Sequence, residues 1–179
     1  MQAAGPNLTA SNTPTSLLNA QAKTYLKPGF FDRPGKAVLI EFAGQLGNIV
    51  TTPGTLTLDV RMGPTSNIIV FNGAAMQLSS TAHTALPIEG RVKLTCRSIG
   101  NGTTATLMGQ GRVTAQALSL TAVADSTTTP ATLLMPNTTP AVGTGFDSTV
   151  AMVVDLFGTF SLNNANAIQI HQYELYELN

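Results

Sequence analysis

Few side chains in this 179-residue chain are of the kinds that carry out chemistry: two histidines, one cysteine and nine carboxylates. His83 and His171 are far apart in sequence, and neither stands in a metal-ligand spacing such as HxH or HExxH. His83, in "SSTAHTALP", reads as an exposed loop residue, and His171, in "AIQIHQYELYEL", as a solvent-face or interface residue of the last strand. A Ser-His-Asp relay can be drawn from His171, Asp155 and any of many serines. No nucleophile elbow supports it, and abundant serine makes the coincidence common. Glu174 and Glu177 come closest to a carboxylate pair, but three residues apart on a strand they face opposite sides, the wrong geometry for acid-base work.

The remaining signatures are equally thin. A calcium loop needs clustered Asp and Asn, and "NTTPAVGTGFD" offers Asp147 alone. The glycines of "GQGR" and "GTG" lie between strands rather than ahead of a helix, so they make no phosphate cradle. Cys96 has no second cysteine to pair with, and in "RVKLTCRS" it shares a face with Val92 and Leu94, which makes it a small core residue. The sequons "NLT", "NGT" and "NTT" carry no weight without a secretory leader. With three tyrosines (Tyr25, Tyr173, Tyr176) and no tryptophan, aromatic platforms for sugar stacking are scarce. The expectation is a protein with no catalytic residues, cofactor or metal, and not an enzyme.

Composition points to another kind of task. Hydrophobic residues make up 43% of the chain, ordinary for a globular domain, but charged residues only 10%, against about 25% in a typical one. The solvent faces must then be Thr, Ser, Asn, Gln and Gly, with little charge repulsion to hold copies apart, which suits a member of an assembly. Residues 1–112 hold all nine bases and four acids, and residues 113–179 hold five acids and no base, an asymmetry that can orient docking. No basic run interleaved with aromatics exists, so nucleic acid is not an expected partner. No stretch approaches the roughly 18–20 apolar residues of a membrane span, nor does the N-terminus carry a basic-then-apolar leader, so no membrane is expected either.

The elements that would position these residues are strands. "TPGTLTLDVRMG" sets Leu56, Leu58, Val60 and Met62 on one face and Thr55, Thr57, Asp59 and Arg61 on the other, a half-buried strand with one wet face. "KAVLIEFAGQL", "NIIVFNGAAMQL", "LPIEGRVKLTCRS", "TATLMGQGRVTAQAL", "STVAMVVDLFGTF" and "AIQIHQYELYEL" bring the strong strands to seven, and "ATLLM" offers an eighth. The Asn-Gly of "IGNGTT" is a hairpin signal. Gly109 and Gly111 mark a bulge or a close backbone approach. Residues 121–147 form a long Thr/Pro/Ala loop of the sort stabilised by contacts outside the domain. Antiparallel strands at these spacings predict an all-β, two-sheet antiparallel β-sandwich over residues 30–179, a jelly roll first and an immunoglobulin-like winding second. Residues 1–29, with Pro6, Pro14 and Pro28, read as an extended N-terminal arm with a helical turn or two in "TSLLNAQAKTYL" capped by Thr15 or Ser16. Leu17, Leu18, Tyr25 and Leu26 would anchor that arm on a neighbour, while Lys23, Lys27, Arg33 and Lys36 would meet an acidic partner surface.

The succession "LIEFAGQLGNIVTTPGTLTLDVRMG", "ALPIEGRVKLTCRSIGNGTTATLMGQGRV" and "STVAMVVDLFGTFSLNNANAIQIHQYELYEL", over about residues 38–178, resembles a group of small tailed-bacteriophage virion proteins. The resemblance implies a jelly-roll protein on the particle, of the capsid cement or decoration type, made in the host bacterial cytoplasm and located on the capsid surface. Its implied partners are the major capsid protein and other copies of itself, as trimers on three-fold or quasi-three-fold axes first and dimers on two-fold axes second. Leu17, Leu18, Tyr25, Leu26, Phe30 and Phe31 would then be arm contacts, and Tyr173 and Tyr176 interface aromatics unless they simply pack in the sandwich. A tail, neck or baseplate component is the runner-up, and a receptor- or glycan-binding jelly-roll head the reading from a different class.

Overall fold

The computed structural model describes residues 3–49, 52–119 and 130–179, and among these there is no helix. The strands are β1 (Leu8–Thr9), β2 (Thr15–Ser16), β3 (Thr24–Leu26), β4 (Ala37–Asn48), β5 (Thr55–Met62), β6 (Ile68–Gln77), β7 (His83–Ser98), β8 (Thr106–Ala115), β9 (Ala131–Met135), β10 (Met152–Phe160) and β11 (Ala167–Glu177). One sheet has the order β1-β11-β4-β7-β8-β9, the other β2-β10-β5-β6, with β3 also paired to β10. Every pairing is antiparallel. The protein is therefore an all-β, two-sheet sandwich, and "ATLLM" is a strand. The strand order does not confirm the jelly-roll winding: β5 and β6, β7 and β8, and β8 and β9 are each sequence neighbours lying side by side in one sheet.

Alternation along each long strand builds the core between the sheets. Val38, Ile40 and Phe42 of β4 and Val92, Leu94 and Cys96 of β7 meet Leu56, Leu58, Val60 and Met62 of β5, all buried in one apolar cluster. Gly109 of β8 marks a close approach rather than a bulge: a Cβ there would overlap the ring of Phe71, which reaches across from β6. The β7–β8 register shifts at Cys96/Ser98 instead. The Asn-Gly hairpin forms as expected, with Gly102 at φ +63°.

The sandwich is stitched along both sides by segments that carry no alternation. On one side residues 137–146 bridge β6 and β8. The Asn137 and Thr144 amides donate to Gly73 and Ile69, and the Gly143 and Phe146 amides donate to Leu107 and Ala105. These contacts anchor the second half of the long loop within the chain itself; residues 121–129 of that loop lie outside the described residues.

On the other side the N-terminal segment is part of the sandwich, not an arm beside it. Leu8 and Thr9 extend the first sheet by pairing with β11, and β2 and β3 add to the edge of β10. The expected helical turn is absent because Thr15 and Ser16 are drawn into strand pairing. The Ser16 hydroxyl does accept from the Leu18 amide at 3.3 Å, the local bond a cap would make, but it donates to Asp155. A turn follows, in which Asn19 Oδ1 accepts from the Ala22 amide at 2.9 Å.

Candidate functional site

The residues expected to grip a neighbour divide sharply. Leu17, Leu18, Leu26, Phe30 and Phe31 are buried in the chain's own core, as is Tyr173 at 6% exposure. Phe31 stacks edge-on between Phe30 and Phe146, at centroid separations of 5.1 and 5.9 Å. These six are therefore packing residues within this chain and not surface anchors. Tyr25 (68% exposed) and Tyr176 (44%) remain at the surface. Of the bases assigned to an acidic partner, Lys23 pairs with Asp155 at 2.7 Å, Lys36 with Glu177 at 2.9 Å, and Arg33 with Asp32 at 3.5 Å. Three of the four bases are thus paired within the chain, Arg33 only at the surface, while Lys27 has no ion pair among the described residues.

Asp155 is the most enclosed charge, with no exposed surface. The loop between β2 and β3 brings Lys23 to one carboxylate oxygen, and the Ser16 hydroxyl of β2 donates to the other at 2.8 Å. Nearby, burial pushes the Tyr173 phenol far above its ordinary pKa; the Thr24 hydroxyl opposes this and the Asp155 charge adds to it. The cluster ties the N-terminal segment to β10 by giving a buried carboxylate one ion pair and one hydrogen bond.

The histidines stay apart. His83 is buried at the start of β7 rather than exposed in a loop, because that strand reaches back to His83 to pair with Asn48 of β4. It lines a cavity of about 470 Å³ at one end of the sandwich with Asn7, Gln45, Asn48 and Thr84, among small apolar residues. His171 is exposed on β11, where the β11–β4 register shifts between Ile170 and Gln172. Among the described residues, no three His, Cys, Asp or Glu side chains are grouped to hold a metal ion, and no helix is long and apolar enough to cross a membrane.

The largest gathering of charge lies on the outer face of the six-stranded sheet. Strand register aligns Glu174 of β11, Glu41 of β4, Arg91 of β7, Arg112 of β8 and Leu134 of β9 in one row. The next row is Gln172, Ala43, Glu89, Thr114 and Thr132; on the opposite flank run Tyr176, Leu39, Lys93 and Gln110. Around Ala43 and Gly90 the face sinks into a groove of about 280 Å³ lined by Glu41, Glu89, Arg91, Arg112 and Glu174. Among the described residues, none of Glu41, Glu89, Arg91, Lys93, Arg112 and Glu174 forms an ion pair. Glu174 accepts a bond from the Tyr176 hydroxyl. Leu134, 73% exposed and the most exposed large apolar side chain among the described residues, continues the row at the sheet edge. Alternation in the sequence places Arg91, Lys93 and Arg97 on the wet side of β7, but the row itself exists only through cross-strand register.

No protein-family model matches the chain, and no curated protein matches it. Among solved structures, the crystal structure of a functionally unknown protein from Saccharomyces cerevisiae is similar over 98% of this chain and 97% of that one, at 10% identity and a TM-score of 0.29. A likeness at that level carries no argument about fold or function.

Proposed function

We propose that this protein is a structural subunit of a virion, a capsid cement or decoration protein of the tailed-bacteriophage type. It would bind the outside of the shell of major capsid protein and stabilise it. The observation that carries this reading is the broad outer face of the six-stranded sheet, a surface suited to meeting another subunit of an assembly, where Glu41, Glu174, Arg91 and Arg112 form no ion pair among the described residues and stand beside the exposed Leu134. A charged 10% of the chain leaves the rest of the exterior polar and neutral, a surface that tolerates crowding against neighbours. The motif likeness over residues 38–178 supplies the class of assembly. Repeated over a shell, even modest interfaces add by multivalency.

The test is particle stability. Virions lacking the protein should release their genomes at lower temperature than complete ones, and adding the purified chain back should restore the difference. Equal heat stability with and without it would overturn the reading.

A glycan-binding head is the second reading, favoured by the cavity lined by the amides and hydroxyl of Asn7, Gln45, Asn48 and Thr84 beside His83. Binding of the isolated chain to a glycan array, with no effect on particle stability, would favour it instead.

A further inference from the structure

The charged row on the outer sheet face has an internal order that a single chain does not use. Glu174 and Glu41 are directly opposite each other on neighbouring strands, and so are Arg91 and Arg112. Like charges facing across a strand pair are destabilising. The acidic pair and the basic pair are neighbours as well, since Glu41 is the register partner of Arg91, yet no ion pair joins them. The pattern across four strands is therefore acid, acid, base, base, with the centres of the two pairs two strand spacings apart, about 10 Å.

From this we infer that the outer face of the six-stranded sheet docks a second copy of the same chain about a two-fold axis lying in the interface, parallel to the strands and midway between β4 and β7. Such an axis exchanges left and right across the sheet while keeping each row in place. Glu174 then lies over Arg112 of the partner copy and Glu41 over Arg91 of the partner copy, and symmetry doubles both contacts. The flanking rows follow suit: Tyr176 falls over Gln110 and Leu39 over Lys93 of the partner copy. The groove around Ala43 and Gly90 gives the long arginine side chains room to enter. No other simple face-to-face arrangement of one row on itself cancels all four charges, because a copy laid without the exchange sets acid on acid.

Size decides what kind of dimer this is. Four strands about 4.8 Å apart and eight residues of about 3.3 Å each give a footprint of about 500 Å² per copy. The total of about 1,000 Å² stands at the lower edge of specific interfaces, so the dimer is a transient one that gains most in specificity and encounter rate from its charges. The inference rests on the assembly reading and deepens it by naming the surface through which copies meet.

The experiment is sedimentation of the full chain over a concentration series, for wild type, Glu41→Arg, Arg91→Glu and an equimolar mixture of the two variants. Wild type should dimerise, and raising salt from about 0.05 to 0.5 M should weaken the dimer about tenfold, because screening shortens the reach of exposed charges. Each variant alone should be monomeric at every concentration. The mixture should dimerise again, since the arginine introduced at position 41 of one copy then meets the glutamate introduced at position 91 of the other. This rescue separates a lost contact from a lost fold, which circular dichroism checks directly. Dimers formed equally well by Arg91→Glu alone, or a mixture that stays monomeric, would overturn the inference. So would a wild-type monomer that nevertheless binds shells, a result that leaves the cement reading intact. A wild-type dimer with all the predicted salt and variant behaviour but no effect on particle stability would overturn the cement reading and leave the docking face standing.

Discussion

Asp59 shows how little a wet strand face guarantees exposure. It alternates outward with Thr57 and Arg61, yet it is only 4% exposed. Arg61 bonds it at 3.3 Å while lying over the Phe157 ring, 4.3 Å from its centroid, and one carboxylate oxygen is buried without a partner. Burial raises the Asp59 pKa, and the Arg61 hydrogen bond and charge only partly offset this. A carboxyl raised on folding favours the native state while it is protonated and loses that contribution as pH rises through the folded value. Asp147 is the reverse case. Bonds from the Thr149 hydroxyl and the Gly102 and Thr149 amides hold its pKa below 3.8, so it stabilises the β7–β8 turn at neutral pH and loses that effect as pH falls through the folded value. Denaturant titrations from about pH 7 to about pH 2 should separate the two. Relative to Asp59→Asn, wild type should gain stability as pH falls; relative to Asp147→Asn, it should lose stability. Parallel curves for all three proteins would contradict both assignments.

The N-terminal segment is the element on which the sandwich depends most visibly. It joins the edge of one sheet to the edge of the other and buries Leu8, Leu17, Leu18 and Leu26, each worth about 1.5–3 kcal/mol when removed from water. Deleting residues 1–28 should therefore cost cooperative folding, with a melting transition lost or the chain aggregated, rather than leave an intact domain. Leu17→Ala should cost about 2–5 kcal/mol, because the fully buried side chain packs against Gly158 and its loss leaves a cavity there. Tyr25→Ala, at an exposed position, should change stability by no more than about 0.5 kcal/mol. Chemical denaturation measures all three, and a truncated chain with the wild-type midpoint would restore the separable arm.

Strands β4–β8, β10 and β11 were legible in the sequence because eight or more alternating residues leave a period that survives local exceptions. The strands β1, β2 and β3, of two, two and three residues, are too short to carry a period, and three prolines nearby imitate a linker. What makes them strands is a free sheet edge far away in sequence, and no local pattern encodes that. The same holds for the charged face: alternation places Arg91 and Lys93 outward, but only register sets Glu41 and Glu174 on one side and Arg112 on the other. His83 was hidden differently: the Ser and Thr ahead of it do form the bend they suggest, but the strand begins at His83 itself, before the apolar alternation starts.

At the scale of the molecule, six charges that form no ion pair among the described residues, Glu41, Glu89, Arg91, Lys93, Arg112 and Glu174, share one broad sheet face. A soluble protein working alone gains nothing from opposing two glutamates and two arginines across neighbouring strands. A repeated subunit gains orientation from it, because only a correctly turned neighbour neutralises both pairs. A cryo-EM map of the source particle, with this chain's copies located and counted, puts the cement assignment to the test without intermediaries. Two-sheet sandwiches should repeat over the outer surface of the shell in hundreds of copies. A bare shell, or copies confined to three, six or twelve at a vertex or on the tail, would contradict the assignment.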